Sequence, residues 1–257
     1  MKKIFLSLLT IAMLFVLSAC IFDSSDSDDD STTTTTTPTT ETTKTLETAD
    51  FVEGSALQND ADLKGYYSDI LFEATISPRA ANAAQNVSAK YQIELEKSGE
   101  TEITSASVKS GNVNYTLVKD SDKWEVIFDQ SELAMTAGAA TTFVFTINGT
   151  DYSVDVKSTY EPSVIAFSPT DWNPTKELAI SWTLATSNDF QFLVHMDQNY
   201  SNSKLAKFTN SVRQLTVKAN AITNSDPKIM LLQQNFSQDS GKKLTVIYQS
   251  YDQIGSD

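Results

Sequence analysis

Thr142-Phe143-Val144-Phe145-Thr146-Ile147-Asn148-Gly149-Thr150-Asp151-Tyr152-Ser153-Val154-Asp155-Val156 is the stretch that decides the fold. Phe143, Phe145 and Ile147 fall on alternate positions, and so do Tyr152, Val154 and Val156. A period of two places one set of side chains on one face of a strand and buries that face. Between the two runs stands Asn148-Gly149, a pair that takes up the positive φ angles a tight hairpin turn requires. Residues 142–156 therefore read as a single antiparallel hairpin.

The same alternation extends in both directions. Upstream are Val87, Ala89, Tyr91, Ile93 and Leu95, then Val113, Tyr115 and Leu117, then Trp124, Val126 and Phe128. Downstream are Val164–Phe167, Leu178, Ile180, Trp182 and Leu184, then Phe190, Phe192, Val194 and Met196. Leu215 and Val217, Ile229 and Leu231, and Leu244, Val246 and Tyr248 complete the series, with Ser240-Gly241-Lys242-Lys243 expected to join the last two strands. Apolar residues at helical spacing are short-lived: Asn82–Ala89 and Ser201–Thr209 could each form a turn of helix. Many short strands separated by turn signals predict an all-β protein of the sandwich kind. Some 200 ordered residues could make one large sandwich or two. The segment Ser158-Thr159-Tyr160-Glu161-Pro162 favours two, at 61–160 and 161–257. Trp124 and Trp182 alternate with aliphatic residues and are expected in the cores.

Part of the second unit resembles a fibronectin type III or immunoglobulin-like domain. Leu178-Ala179-Ile180-Ser181-Trp182-Thr183 is similar to the early strand of type III modules that carries a core tryptophan, and Phe167-Ser168-Pro169 to their proline-marked first strand. The expected tyrosine strand is replaced by Phe190-Gln191-Phe192-Leu193-Val194. The resemblance implies two tandem immunoglobulin-like sandwiches.

The N-terminus has a different character. Lys2 and Lys3 precede a largely apolar run, Ile4–Val16, which ends at Leu17-Ser18-Ala19-Cys20. This is the layout of an export signal, and the run is shorter than the roughly 20 residues needed to span a bilayer core. Leu17–Cys20 resembles the lipobox of bacterial lipoproteins that are processed by signal peptidase II. That resemblance implies removal of residues 1–19 and acylation of Cys20. Ile21, rather than aspartate, after the cysteine implies the outer membrane as destination. Several acyl chains on one residue meet the requirement for stable anchoring.

Residues 20–60 read as a linker. Its stretch Asp23–Asp50 opens with Asp23, Asp26, Asp28, Asp29 and Asp30, and continues through the tract Thr32–Thr37. Too few apolar residues stand here to offset the entropy of ordering them, so a spacer reaching about 30–40 Å is expected.

Charge and composition exclude several functions. Loss of residues 1–19 removes two lysines and no acids, so the formal charge moves from −14 to −16. Nucleic acid is an unsuitable partner for so acidic a chain. With Cys20 as its single cysteine, the chain forms no intrachain disulfide. The single histidine, His195, is expected to face solvent opposite Val194 and Met196, with no nucleophile arranged against it. One histidine does not make a zinc site. Asp60-Ala61-Asp62 and Asp120-Ser121-Asp122 begin like calcium loops but lack the following glycine and distal glutamate, and read as solvated turns. No catalytic, cofactor or metal residue is assigned. Among exposed aromatics that could meet a sugar (Tyr66, Tyr67, Trp172 and Tyr200), Trp172 in Asp171-Trp172-Asn173-Pro174 is the ligand-binding candidate. The expectation is a non-enzymatic, lipid-anchored protein that binds, adheres or scaffolds through its sandwiches, with a protein or glycan ligand. The alternative is a carbohydrate-binding module at the cell envelope.

Overall fold

The structure, a computed structural model, describes residues 42–79, 88–133, 135–160, 163–184, 188–197, 203–223 and 227–254. Among these, strands dominate and helices are single turns. One four-stranded sheet runs β10 (Thr150–Lys157), β9 (Ala140–Ile147), β5 (Ala106–Ser110), β6 (Val113–Thr116). A second runs β1 (Thr42–Leu46), β15 (Val212–Val217), β12 (Leu178–Thr183), β11 (Ser163–Ser168). The third has nine strands. Its order is β2 (Val52–Glu53), β14 (Lys204–Phe208), β13 (Phe190–Met196), β16 (Lys228–Gln238), β17 (Leu244–Ile254), β3 (Phe72–Arg79), β4 (Lys90–Lys97), β8 (Lys123–Asp129), β7 (Val118–Asp120).

The hairpin over 142–156 is present. Thr150 pairs with Ile147 across a turn in which Asn148 and Gly149 have φ of 52° and 79°. Phe143, Phe145, Ile147, Val154 and Val156 point into the first core, against Phe72, Ile76, Ile93, Leu95 and Val246 of the nine-stranded sheet. The second core lies between the β1–β15–β12–β11 sheet and the other half of the same large sheet. It joins Leu46, Ile180, Trp182 and Leu215 to Leu193, Phe208, Leu231 and Ile254. Ser240–Lys243 joins β16 to β17 as expected, with the Asp239 carboxylate accepting the N–H groups of Gly241, Lys243 and Leu244. The protein is thus all-β, with two sandwiches that share one continuous sheet. The shared sheet is closed by the parallel pairing of β17, the last strand, with β3, the first long one.

On the inner face of that sheet a polar seam separates the two cores. The chain leaves β10 and crosses the sheet at Ser158-Thr159-Tyr160, where its peptide groups meet side-chain amides. Asn188 accepts the Tyr160 N–H at 2.7 Å and donates to the Tyr160 carbonyl at 2.9 Å and to Gln233 at 3.1 Å. Asn235 donates to the Ser158 carbonyl at 3.0 Å and accepts the Asp189 N–H at 2.7 Å. Thr159 and Ser250 share a hydroxyl bond of 2.7 Å, and Gln233 donates to Gln191 at 3.2 Å. Gln191, Gln233 and Asn235 are fully buried. Tyr160 also lies over Gly138, whose φ is +74° and where an added Cβ would come within 2.4 Å of the tyrosine ring.

Three expectations need correction. The linker was placed over residues 20–60, yet the chain is built into the fold from Thr42. β1 pairs in parallel with β15, and Leu46 and Phe51 are buried in the second core. Two well-placed apolar side chains among β-branched threonines suffice to order a segment whose average composition is that of a spacer. Ser201–Thr209, considered for a helical turn, contains strand β14 instead; residues 82–87 of the other such stretch lie outside the described residues. The helical turns are α1 (Gly54–Leu57) and α2 (Lys64–Tyr67), for which the sequence shows no periodicity.

Because the seam joins the cores, unfolding in urea should be one transition. Trp124, packed on the first core, and Trp182, in the second, supply separate fluorescence probes, and two separated midpoints would contradict the joint. Asn188→Ala strands both peptide groups of Tyr160 and the Gln233 carbonyl oxygen. Its expected cost is on the order of 3 kcal/mol, read as a lower urea midpoint for both probes together.

Candidate binding surface

The other face of the nine-stranded sheet, turned away from both cores, divides into an apolar half and a polar half. Strands β13, β14 and β16 contribute Phe192, Val194, Met196, Leu205, Leu232 and Phe236, which pack with Leu57 and Leu63 of the segment that contains α1 and α2. The cover is pinned by polar contacts. Lys207 of β14 bonds to Asp60 and, at 2.7 Å, to Asp62, and its ammonium lies 5.6 Å from the Phe190 ring. Thr245 donates to the Tyr66 carbonyl at 2.6 Å and Gln238 to that of Gly65 at 3.2 Å. Asp60 and Asp62 therefore hold a lysine, in place of a solvated turn. Asp120-Ser121-Asp122 is the β7–β8 hairpin turn, with Ser121 at φ 55°. Among the described residues no group of three or more His, Cys, Asp or Glu side chains could hold a metal ion.

The polar half carries a row of amides and carboxylates across five strands. Gln234 of β16 donates to Gln249 of β17 at 2.9 Å, and Gln249 to Ser77 of β3 at 3.4 Å. On β4, Gln92 accepts from Arg79 and donates to Glu94 at 2.9 Å and to Glu125 of β8 at 3.0 Å. Lys123 pairs with Glu94. Strand register sets Glu73 of β3 directly opposite Glu96 of β4, and Glu94 opposite Glu125. Glu73, Glu94, Gln92, Gln234 and Gln249 are all buried. At the outer edge of this half, Val118 and Ile127 are 68% and 43% exposed. These side chains hydrogen-bond to one another along the sheet, so this half is held as a fixed lateral network.

The residues singled out from sequence are scattered. Cys20 and Tyr200 lie outside the described residues. Trp172 is half-buried on the second core, and its indole N–H donates to the Lys176 carbonyl at 2.8 Å. Tyr66 and Tyr67 do not form a flat exposed strip; with Phe190 they ring Phe236 at centroid distances of 5.0, 6.0 and 5.3 Å. The Tyr67 hydroxyl is buried without a hydrogen-bond partner, and burial together with the charge of Glu73 pushes its pKa up.

His195 corrects another expectation. It does point opposite Val194 and Met196, but both faces of β13 are covered, and its exposure is 1%. The ring meets Phe51 edge-on at 5.0 Å and its Nδ1 has no hydrogen-bond partner. Desolvation, with a smaller contribution from Lys204, lowers its pKa to about 4, so it is neutral and packed. The buried amide row was not singled out either. The run Gln233-Gln234-Asn235 within β16 was a signal for it, since three amides inside a long strand require partners on both faces.

No family model matches this chain, and no curated protein does. Among solved structures, a segment of two fibronectin type III domains from chicken tenascin is 12% identical, with a TM-score of 0.24, over 63% of this chain and 92% of that one. A structure concerned with host cell surface retention of a bacterial ice-binding adhesin is 13% identical, with a TM-score of 0.23, over 74% of this chain and 66% of that one. The strand pairings, and not these superpositions, define the architecture.

The pH response of His195 has a definite sign. Its folded pKa lies below the free value of 6.5, so the unfolded chain takes up the proton first. The stability that neutral His195 contributes is complete above pH 6.5 and is lost as pH falls towards 4. His195→Phe, which keeps a ring against Phe51, should escape this loss, so the difference between its urea midpoint and that of the wild type should grow in its favour as pH falls from 6.5 to 4. A difference that does not change with pH would mean that His195 is solvated.

Proposed function

We propose that this chain is a lipid-anchored protein of the bacterial outer membrane, held by acylated Cys20, that works without catalysis as a binding or scaffold module. The observation that carries the reading is the joining of the two sandwiches into one block by the shared sheet and its buried amide seam. Such a block presents its outer faces in fixed relation, as adhesion and assembly require, and anchoring raises the effective concentration of a tethered binder. β1 already belongs to the fold, and its Leu46 is fully buried. The spacer is therefore about 21 residues from Cys20 to Thr42, with an r.m.s. reach of about 25 Å. The protein is thereby held within a few nanometres of the lipid, closer than a linker to residue 60 would allow.

A second reading, sugar binding at Trp172, is supported by the part of the ring left open beside Asp171 and Asn173. Packing of the same ring against the second core gives Trp172 a structural role as well.

Two measurements separate these claims. Cys20→Ala should move the protein from the membrane fraction to the soluble fraction, and continued membrane association would overturn the anchor. On a glycan array, a scaffold gives no signal that depends on Trp172, whereas a carbohydrate-binding module loses its signal in Trp172→Ala while remaining folded by circular dichroism.

A further inference from the structure

Residues 42–53 form a strap across one side of the second sandwich. At its start β1 pairs in parallel with β15 of one sheet, and at its end β2 pairs with β14 of the other. Both contacts are at sheet edges, and β2 is two residues long. Between them Leu46 and Phe51 enter the core. The other ties are a few hydrogen bonds. Lys218 donates its N–H to the Leu46 carbonyl at 3.0 Å, Thr43 its hydroxyl to Gln214 at 3.1 Å, and Thr48 its hydroxyl to the Asn220 carbonyl at 3.3 Å.

His195 lies under this strap. Lys204 of β14 and Ile229 of β16 are its cross-strand neighbours, and Phe51 closes over the ring. The imidazole is buried and its Nδ1 has no hydrogen-bond partner. The charged groups on the elements around it are Lys204 of β14, Lys228 of β16, Arg213 of β15, Glu53 of β2 and, along the strap, Lys44, Glu47 and Asp50. Arg213 donates to the Asn210 and Val212 carbonyls, while Glu47 and Asp50 cap the helical turn at 48–50. Lys204 is the charge that acts on the ring, and it opposes protonation. An imidazolium formed here would be a buried cation with no acceptor at Nδ1, which is costly. It gains water only if an element moves away. β13 is held on both sides by ladders to β14 and β16, whereas the strap is held at edges, and local opening is drawn from the least-tied element.

We propose that the strap 42–53 is a proton-released closure: protonation of His195 lifts it from the second sandwich and bares the edges of β14 and β15. With the strap on, burial keeps the His195 pKa at about 4; with the strap off, it returns towards 6.5. The strap is therefore held fully above pH 6.5, and its hold weakens as pH falls towards 4. If the chain is anchored as proposed above, release also adds residues 42–53 to the tether.

Hydrogen–deuterium exchange of the full chain, read by mass spectrometry and corrected for the intrinsic pH dependence of exchange, tests this without reference to anchoring or to any partner. Between pH 7 and pH 4.5 the protection of peptides covering 42–53 should fall on the order of 50-fold, while peptides covering β9 keep theirs. His195→Phe should hold the strap's protection nearly constant over the same range, although it retains every carboxylate of the strap. Strap protection that does not change with pH, or that falls together with that of β9, would overturn the proposal, and both outcomes are read from the wild-type chain alone. An equal loss in a folded His195→Phe chain would overturn it too, since the carboxylates and not His195 would then control the strap.

Discussion

A peptide segment that crosses the inner face of a sheet has no neighbouring strand to receive its N–H and C=O groups, and buried peptide groups left unpaired are costly. At Ser158-Thr159-Tyr160 the Ser158 peptide still bonds back to Gly138 and Ala139, whereas both peptide groups of Tyr160 rely on Asn188, and the joint between the cores depends on how they are satisfied. Asn188 and Asn235 receive it, Gln233 and Gln191 extend the network, and Ser250 meets Thr159. The seam costs each core some apolar contact area, but it fixes where one core stops and the next begins. It does so inside a body that the shared nine-stranded sheet already holds together.

The second constraint is the pairing of β17 with β3. It brings the end of the chain back to its beginning and makes nine strands into one sheet with a single outer face. That face then has two solutions to being covered. Where it is apolar, α1 and α2 close it with Leu57, Leu63 and two tyrosines. Where it is polar, side chains hydrogen-bond laterally along the sheet, from Gln234 to Glu125. Lateral bonding holds these side chains in rows that separate strands could not keep in register.

Much of the fold was legible in the sequence for a simple reason. A strand with one buried face writes a period of two, and Phe143 to Val156 and Leu244 to Tyr248 show it cleanly. His195 shows the limit of that rule. The period assigned its direction correctly, but the outcome depended on what lay on the far side of β13, and that was Phe51, a residue 144 positions earlier. The same holds for Asp60 and Asp62, which meet Lys207 across the cover, and for β1, ordered by a groove made from β15.

What the sequence by itself determined is the class of the protein. All-β elements and the hairpin at Asn148-Gly149 are local patterns, each readable within a dozen residues, and the acidic charge follows from composition. What only the tertiary structure decided is how those patterns share a body: one sheet for both sandwiches, amides where the cores meet, and glutamates set opposite one another on adjacent strands. These depend on register between segments more than 20 residues apart in sequence, and a shift of one residue would reverse every side chain.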